Sequence, residues 1–161
     1  MSTDLVPAVL PRLLDKARQL NAASDQANTI LASVEAKLND AKIGVTFWFE
    51  DQPLHQSDAI GDGGLYSLRE HTDDYLGYAR IDGKWCLAVK RIKHTSGFFE
   101  GSTSCPFTES RLVSEPTALL KSARETRLAA LRILQVFLER FTEKVSEVLG
   151  EIQSAADGLY F

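Results

Sequence analysis

Cysteine, histidine and long apolar runs are what this chain lacks. Of 161 residues only two are Cys, three are His, two are Trp and one is Met. Cys86 and Cys105 are too few for a disulfide framework and show no CxxC spacing, which fits a reducing, cytoplasmic setting. The apolar runs are broken by charge well before the roughly 18–20 residues needed to span a bilayer, so no membrane segment is expected. The opening stretch MSTDLVPAVLPR has neither a basic n-region nor a small-residue cleavage site and is not read as a signal peptide. A net charge of −4 supplies no basic half for wrapping phosphates and argues against nonspecific nucleic-acid binding. His55, His71, His94 and the two cysteines show no metal-pair spacing along any one element. Neither a metal nor a cofactor is therefore expected.

What the chain does have is two amphipathic stripes, one at each end. Val6, Leu10, Leu13, Ala17, Leu20, Ser24, Ala27, Leu31, Val34 and Leu38 alternate spacings of four and three. Leu131, Leu134, Leu138, Phe141, Val145, Val148, Ile152, Ala155 and Leu159 do the same. Each set defines the seam of a long helix, over 4–40 and 114–157. Ser114 serves as the expected cap of the second and Pro116 as its first turn. Between them, over 43–107, the period falls to two. Ile43, Val45, Phe47 and Phe49 alternate with Gly44, Thr46, Trp48 and Glu50, and further strands are expected at 65–71, 75–81 and 85–93. Asp82-Gly83 is a two-residue hairpin turn that needs positive φ at both positions. It sets Trp85 opposite Arg80, Leu87 opposite Tyr78 and Val89 opposite Leu76, and it leaves Gly77, Ala79, Cys86 and Ala88 as a face of small residues. Residues 94–111, rich in Gly, Ser and Thr, read as a loop or one short strand.

The fold class that follows is α+β in one domain, 1–161: a long N-terminal helix, a central antiparallel β-meander of about three to five strands, and a long C-terminal helix. The two helices are expected to form an antiparallel coiled-coil-like hairpin. Their stripes are wider than a two-helix seam requires, since Val9, Leu14 and Ile30 flank the first, and Leu128, Ile133, Phe137 and Leu149 the second. A homodimer built through the helices would cover them.

Function is argued partly by exclusion. Gly61-Asp62-Gly63-Gly64 lacks the Lys-Ser/Thr of a phosphate loop. Asp58, Asp62, Asp73 and Asp74 read as turn formers, and Cys86 as a small buried hydrophobe. No catalytic set is expected, and the first reading is a non-enzymatic, dimeric protein that binds another protein. Its working surface is the basic strand end Lys90, Arg91, Lys93 and His94 with the aromatic pair Phe98 and Phe99, suited to a partner with an acidic surface. A second reading is a nucleic-acid-binding module that adds Lys121, Arg124 and Arg127. A third is a small-ligand protein or enzyme with its site on the sheet.

Overall fold

The computed structural model describes residues 5–57, 60–61, 68–98 and 106–159. Helix α1 runs Leu5–Asp40 and helix α2 runs Arg124–Asp157. Between them lie β1 (Phe47–Phe49), β2 (His55–Gln56), β3 (Ile60–Gly61), β4 (Arg69–Ile81), β5 (Lys84–Phe98), β6 (Pro106–Leu112) and β7 (Thr117–Ala118). All pairing is antiparallel: β4 and β5 form the central hairpin, β1, β2 and β3 line the free edge of β4, and β6 and β7 line the free edge of β5. Two long helices and an antiparallel sheet make this the expected α+β class.

The turn at Asp82-Gly83 holds φ of 49° and 79°, and the register places Trp85, Leu87 and Val89 opposite Arg80, Tyr78 and Leu76, as the sequence implies. Several boundaries differ from expectation, each for a physical reason. β4 is continuous through Asp73-Asp74, where the charges suggested a break. Asp74 is held by two hydrogen bonds from Arg91, at 2.7 and 2.9 Å, and Asp73 by the Tyr75 hydroxyl, so both carboxylates stay in the ladder with partners. β5 extends to Phe98 and pairs with β6 from Ile92 to Phe98, so the region after His94 is more ordered strand than expected. At the other edge β1 begins only at Phe47, because Lys42 and Gly44 take left-handed φ of 52° and 61°. The second helix begins at Arg124 rather than at Ser114. Thr117 and Ala118 pair with Val89 and Ala88, and the 3₁₀ turn Leu119–Lys121 buries Leu119 completely. Tertiary pairing and burial thus override local helix propensity there.

Both helices lie against the face of the sheet that carries Leu76, Tyr78, Leu87 and the β1 residue Phe49. Leu31 of α1 and Leu134, Phe137 and Phe141 of α2 close this core. Phe47 stacks on Phe141 at 5.3 Å, which ties β1 to α2. The helices are not an antiparallel hairpin. Arg124 near the start of α2 donates to Asn21 in the middle of α1. Toward the other end, Tyr78 donates to Asn39 and packs against Phe141. Contacts therefore advance along both helices in the same sense, so the pair is parallel and staggered. The reason is the sheet. Both helices are anchored on the strands they cover as well as on each other, and the chain crosses the whole hairpin before α2 begins.

Two contacts finish the hairpin. Where β5 has no neighbouring strand among the described residues, α1 substitutes for one: Glu35 accepts the Leu87 N–H at 2.9 Å and Asn39 donates to the Trp85 carbonyl at 3.0 Å. Edge groups that would otherwise stay unpaired are thereby satisfied. On the opposite face of the sheet Trp48 lies flat on Gly77, so close that a Cβ there would meet the indole at 2.1 Å. The small-residue face is thus covered by Trp48 with Ile81 and Ala118 packed on Ala79, Cys86 and Ala88.

Gly77→Ala is expected to cost about 1–3 kcal/mol, because the stiff indole must move. Urea denaturation checks this, and in a Trp48→Ala background the penalty should largely vanish. Burial pushes the Glu35 carboxyl above its ordinary value of 4.5, and the Leu87 N–H opposes that shift. A raised carboxyl pKa contributes stability below the unfolded value and loses it as pH rises through the folded one. Glu35→Gln should therefore gain stability relative to the parent between about pH 4 and pH 7, a trend that paired melts across that range will show or refute.

Candidate metal centre

Alternation along β4 sends His71, Asp73, Tyr75 and Gly77 to the face away from the helices, and alternation along β5 sends His94, Ile92, Lys90 and Ala88 to the same face. The hairpin register makes His71 and His94 direct cross-strand partners. Their rings stack with centroids 4.8 Å apart. Asp73, two residues along β4 from His71, brings a carboxylate to the same spot. Three residues scattered over twenty-odd positions of sequence thus meet because one turn fixes one register.

The geometry converges on a point. Asp73 Oδ2 is 3.6 Å from His71 Nε2 and 3.4 Å from His94 Nε2, and one ligand atom from each of the three lies within 4.8 Å of the others. Bonds of about 2.0–2.1 Å to a tetrahedral ion put ligand atoms ~3.3 Å apart, so the first two separations need to change by only a few tenths of an ångström. Asp73 is only 5% exposed. Its Oδ2 accepts from the Tyr75 hydroxyl at 2.9 Å, while Oδ1 is buried without a hydrogen-bond partner among the described residues. A buried, half-satisfied carboxylate is costly unless something cationic completes it.

A second layer orients the donors. His94 Nδ1 lies 2.7 Å from Ser110 Oγ on β6, its direct cross-strand partner. With Nδ1–H donated to that oxygen, Nε2 presents its lone pair toward Asp73 and His71, the arrangement that ligating imidazoles use. The Tyr75 hydroxyl also lies 3.3 Å from His94 Nε2. Burial, then the hydrogen bond and charge of Asp73, push the Tyr75 phenol up to about 12, so it stays a neutral donor to Asp73 at ordinary pH. Ser110, His94 and Asp73 also form a hydroxyl–imidazole–carboxylate line. That line leaves His71 without a role, and its Asp–His separation is too long for the tight hydrogen bond that orients a catalytic base. Two imidazole nitrogens and one carboxylate oxygen around a common point suit a metal better.

The residues singled out from sequence are dispersed. Lys90 pairs with Glu50 and lies over the Trp48 ring at 4.9 Å. Arg91 pairs with Asp74, and Lys93 with Glu70 at 2.9 Å. Lys90 and His94 face one side of the sheet, Arg91 and Lys93 the other, so only His94 joins the site. Phe98 ends β5 with 38% exposure. Phe99, Cys105, Asp58 and Asp62 lie outside the described residues. Lys121 lines a cleft of about 900 Å³ between the end of α1 and the hairpin turn, where Glu35 and Asn39 already serve the β5 edge. Arg124 is engaged by Asn21, which ties α2 to α1, and Arg127 by the Ser122 carbonyl, which braces the start of α2. Cys86 is buried and its thiol is pushed up by that burial. His55 lies exposed on β2 opposite Asp74.

Reading along single elements misses the site, because no element carries more than the His71-x-Asp73 pair. The signal was present in the turn: counting outward from Asp82-Gly83 in the register that places Arg80 opposite Trp85 also places His71 opposite His94. No known family model, curated protein or solved structure matches this chain.

Proposed function

We propose that the chain binds a divalent transition-metal ion through His71 Nε2, Asp73 and His94 Nε2. The observation that carries this reading is the convergence of two imidazole nitrogens on a carboxylate that is buried and has one oxygen unpartnered. A set of two nitrogens and one oxygen suits borderline ions such as Zn²⁺, Co²⁺, Ni²⁺ or Fe²⁺ over Mg²⁺ and Ca²⁺, which favour all-oxygen shells. Three protein donors leave at least one coordination position for water or a small ligand, and the partly exposed histidine rings give it a path to solvent. Binding would also clamp β4 to β5 at the end of the hairpin far from its turn.

A second reading keeps the protein-binding role, in a cytoplasmic setting, at the end of the sheet. Exposed Phe98 beside the strand end favours it. Among the described residues no helix is long and apolar enough to cross a membrane.

Titration of chelator-stripped protein with Zn²⁺ or Co²⁺ should give one ion per chain, with Co²⁺ developing visible absorption. At free metal about 100 times the Kd, the folded state should gain ~2.7 kcal/mol in a thermal melt. Asp73→Asn and His94→Ala should remove saturable binding, and Ser110→Ala should weaken it by about 10–100-fold by releasing the imidazole. Binding that survives His71→Ala and His94→Ala unchanged, or an absence of binding in the parent, defeats the proposal. The interaction reading has its own check: Phe98→Ser should abolish capture of a protein partner without moving the melting temperature.

A further inference from the structure

Because α1 and α2 run parallel and staggered, each continues past its partner at an opposite end of the molecule. Asn21 is level with Arg124, so the first ~16 residues of α1, about 24 Å of helix, have no α2 beside them. At the far end α1 stops at Asp40 near the level of Phe141, and α2 continues to Asp157. Neither overhang is polar all round. Leu10, Leu13 and Leu20 continue the stripe that Ala27 and Leu31 bury farther along α1, and Leu13 is 62% exposed. Ile152 and Leu159 continue the stripe of Phe141, with Ile152 61% exposed. Single exposed apolar residues are ordinary, but two stripes in register with a buried seam are unfinished surfaces.

The two overhangs complement each other in charge as well. From Leu5 to Leu20 α1 carries Arg12, Lys16 and Arg18 against Asp15 alone, whereas past Phe141 α2 carries Glu143, Glu147, Glu151 and Asp157 against Lys144 alone. An α1 end meeting another α1 end would set like charges together. Meeting the α2 end of another copy sets opposite charges around an apolar strip.

We propose that the α1 end of one copy docks on the α2 end of a second copy, head to tail, in the same parallel seam that joins the two helices within one chain. Stacked this way, the second copy's α2 occupies the space beside α1 that its own α2 leaves open. The negative end of that helix then points toward the positive N-terminus of the first copy's α2. The two docking patches are different surfaces, so the contact leaves one of each free and permits growth beyond a dimer. The patch is short, which implies weak, concentration-dependent association rather than an obligate dimer.

Sedimentation equilibrium from about 10 μM to about 1 mM tests this on the full chain. The parent should rise in mass with concentration, past a dimer at the upper end. Leu13→Asp and Ile152→Asp, both at exposed positions and so expected to keep the parent's circular dichroism, should each remain monomeric. Mixed in equal amounts they retain one intact α1 end and one intact α2 end, and should form a one-to-one dimer and nothing larger. If either variant loses helical signal, Leu13→Ser and Ile152→Ser replace the pair. A parent that stays monomeric throughout, an Ile152 variant that associates as well as the parent, or a mixture that fails to pair overturns the proposal.

Discussion

Pairing of β4 with β5 is the constraint on which the rest of this molecule depends. Positive φ at Asp82 and Gly83 fixes a two-residue turn, and that turn fixes the register of both strands to Phe98. With a side-chain period of two, a slip of one residue would exchange the faces of the whole hairpin. Leu76, Tyr78, Leu87 and Val89 would leave the helices, and His71, Asp73 and His94 would enter the core. The apolar core and the polar site are thus two consequences of the same register.

Charge within the strands is tolerated by local compensation. The Asp73-Asp74 pair illustrates this, since adjacent carboxylates face opposite sides of the sheet and meet different partners. Asp74 is gripped by Arg91 on the helix side. Asp73 accepts from Tyr75 and faces two imidazoles on the other. One half of the pair is a closed ion pair and holds structure. The other is left half-satisfied, a costly state for a buried carboxylate that points to a function.

The helices pack on each other and are also anchored to the sheet. α1 uses Leu31 to fill the core and Glu35 with Asn39 to finish the β5 edge, and α2 uses Phe137 and Phe141 to clamp β1. Since each is also tied to different strands, nothing requires their ends to coincide, and the stagger leaves apolar stripe at both ends.

The sequence by itself determined the two long helices, the apolar side of each, the hairpin turn and the faces of β4 and β5, because those depend on local periodicity and on the conformations Gly and Asp tolerate in a turn. It did not determine the start of α2, where capture of Thr117-Ala118 by the β5 edge and burial of Leu119 outweighed a serviceable cap at Ser114. It did not determine the direction of one helix relative to the other, since a heptad stripe says which side is apolar and nothing about the partner's polarity. The His71, Asp73 and His94 cluster lay between these cases. Its pairing was implicit in the turn, but only the folded sheet brought Tyr75 and Ser110 to orient it and buried Asp73, because desolvation and convergence belong to three dimensions.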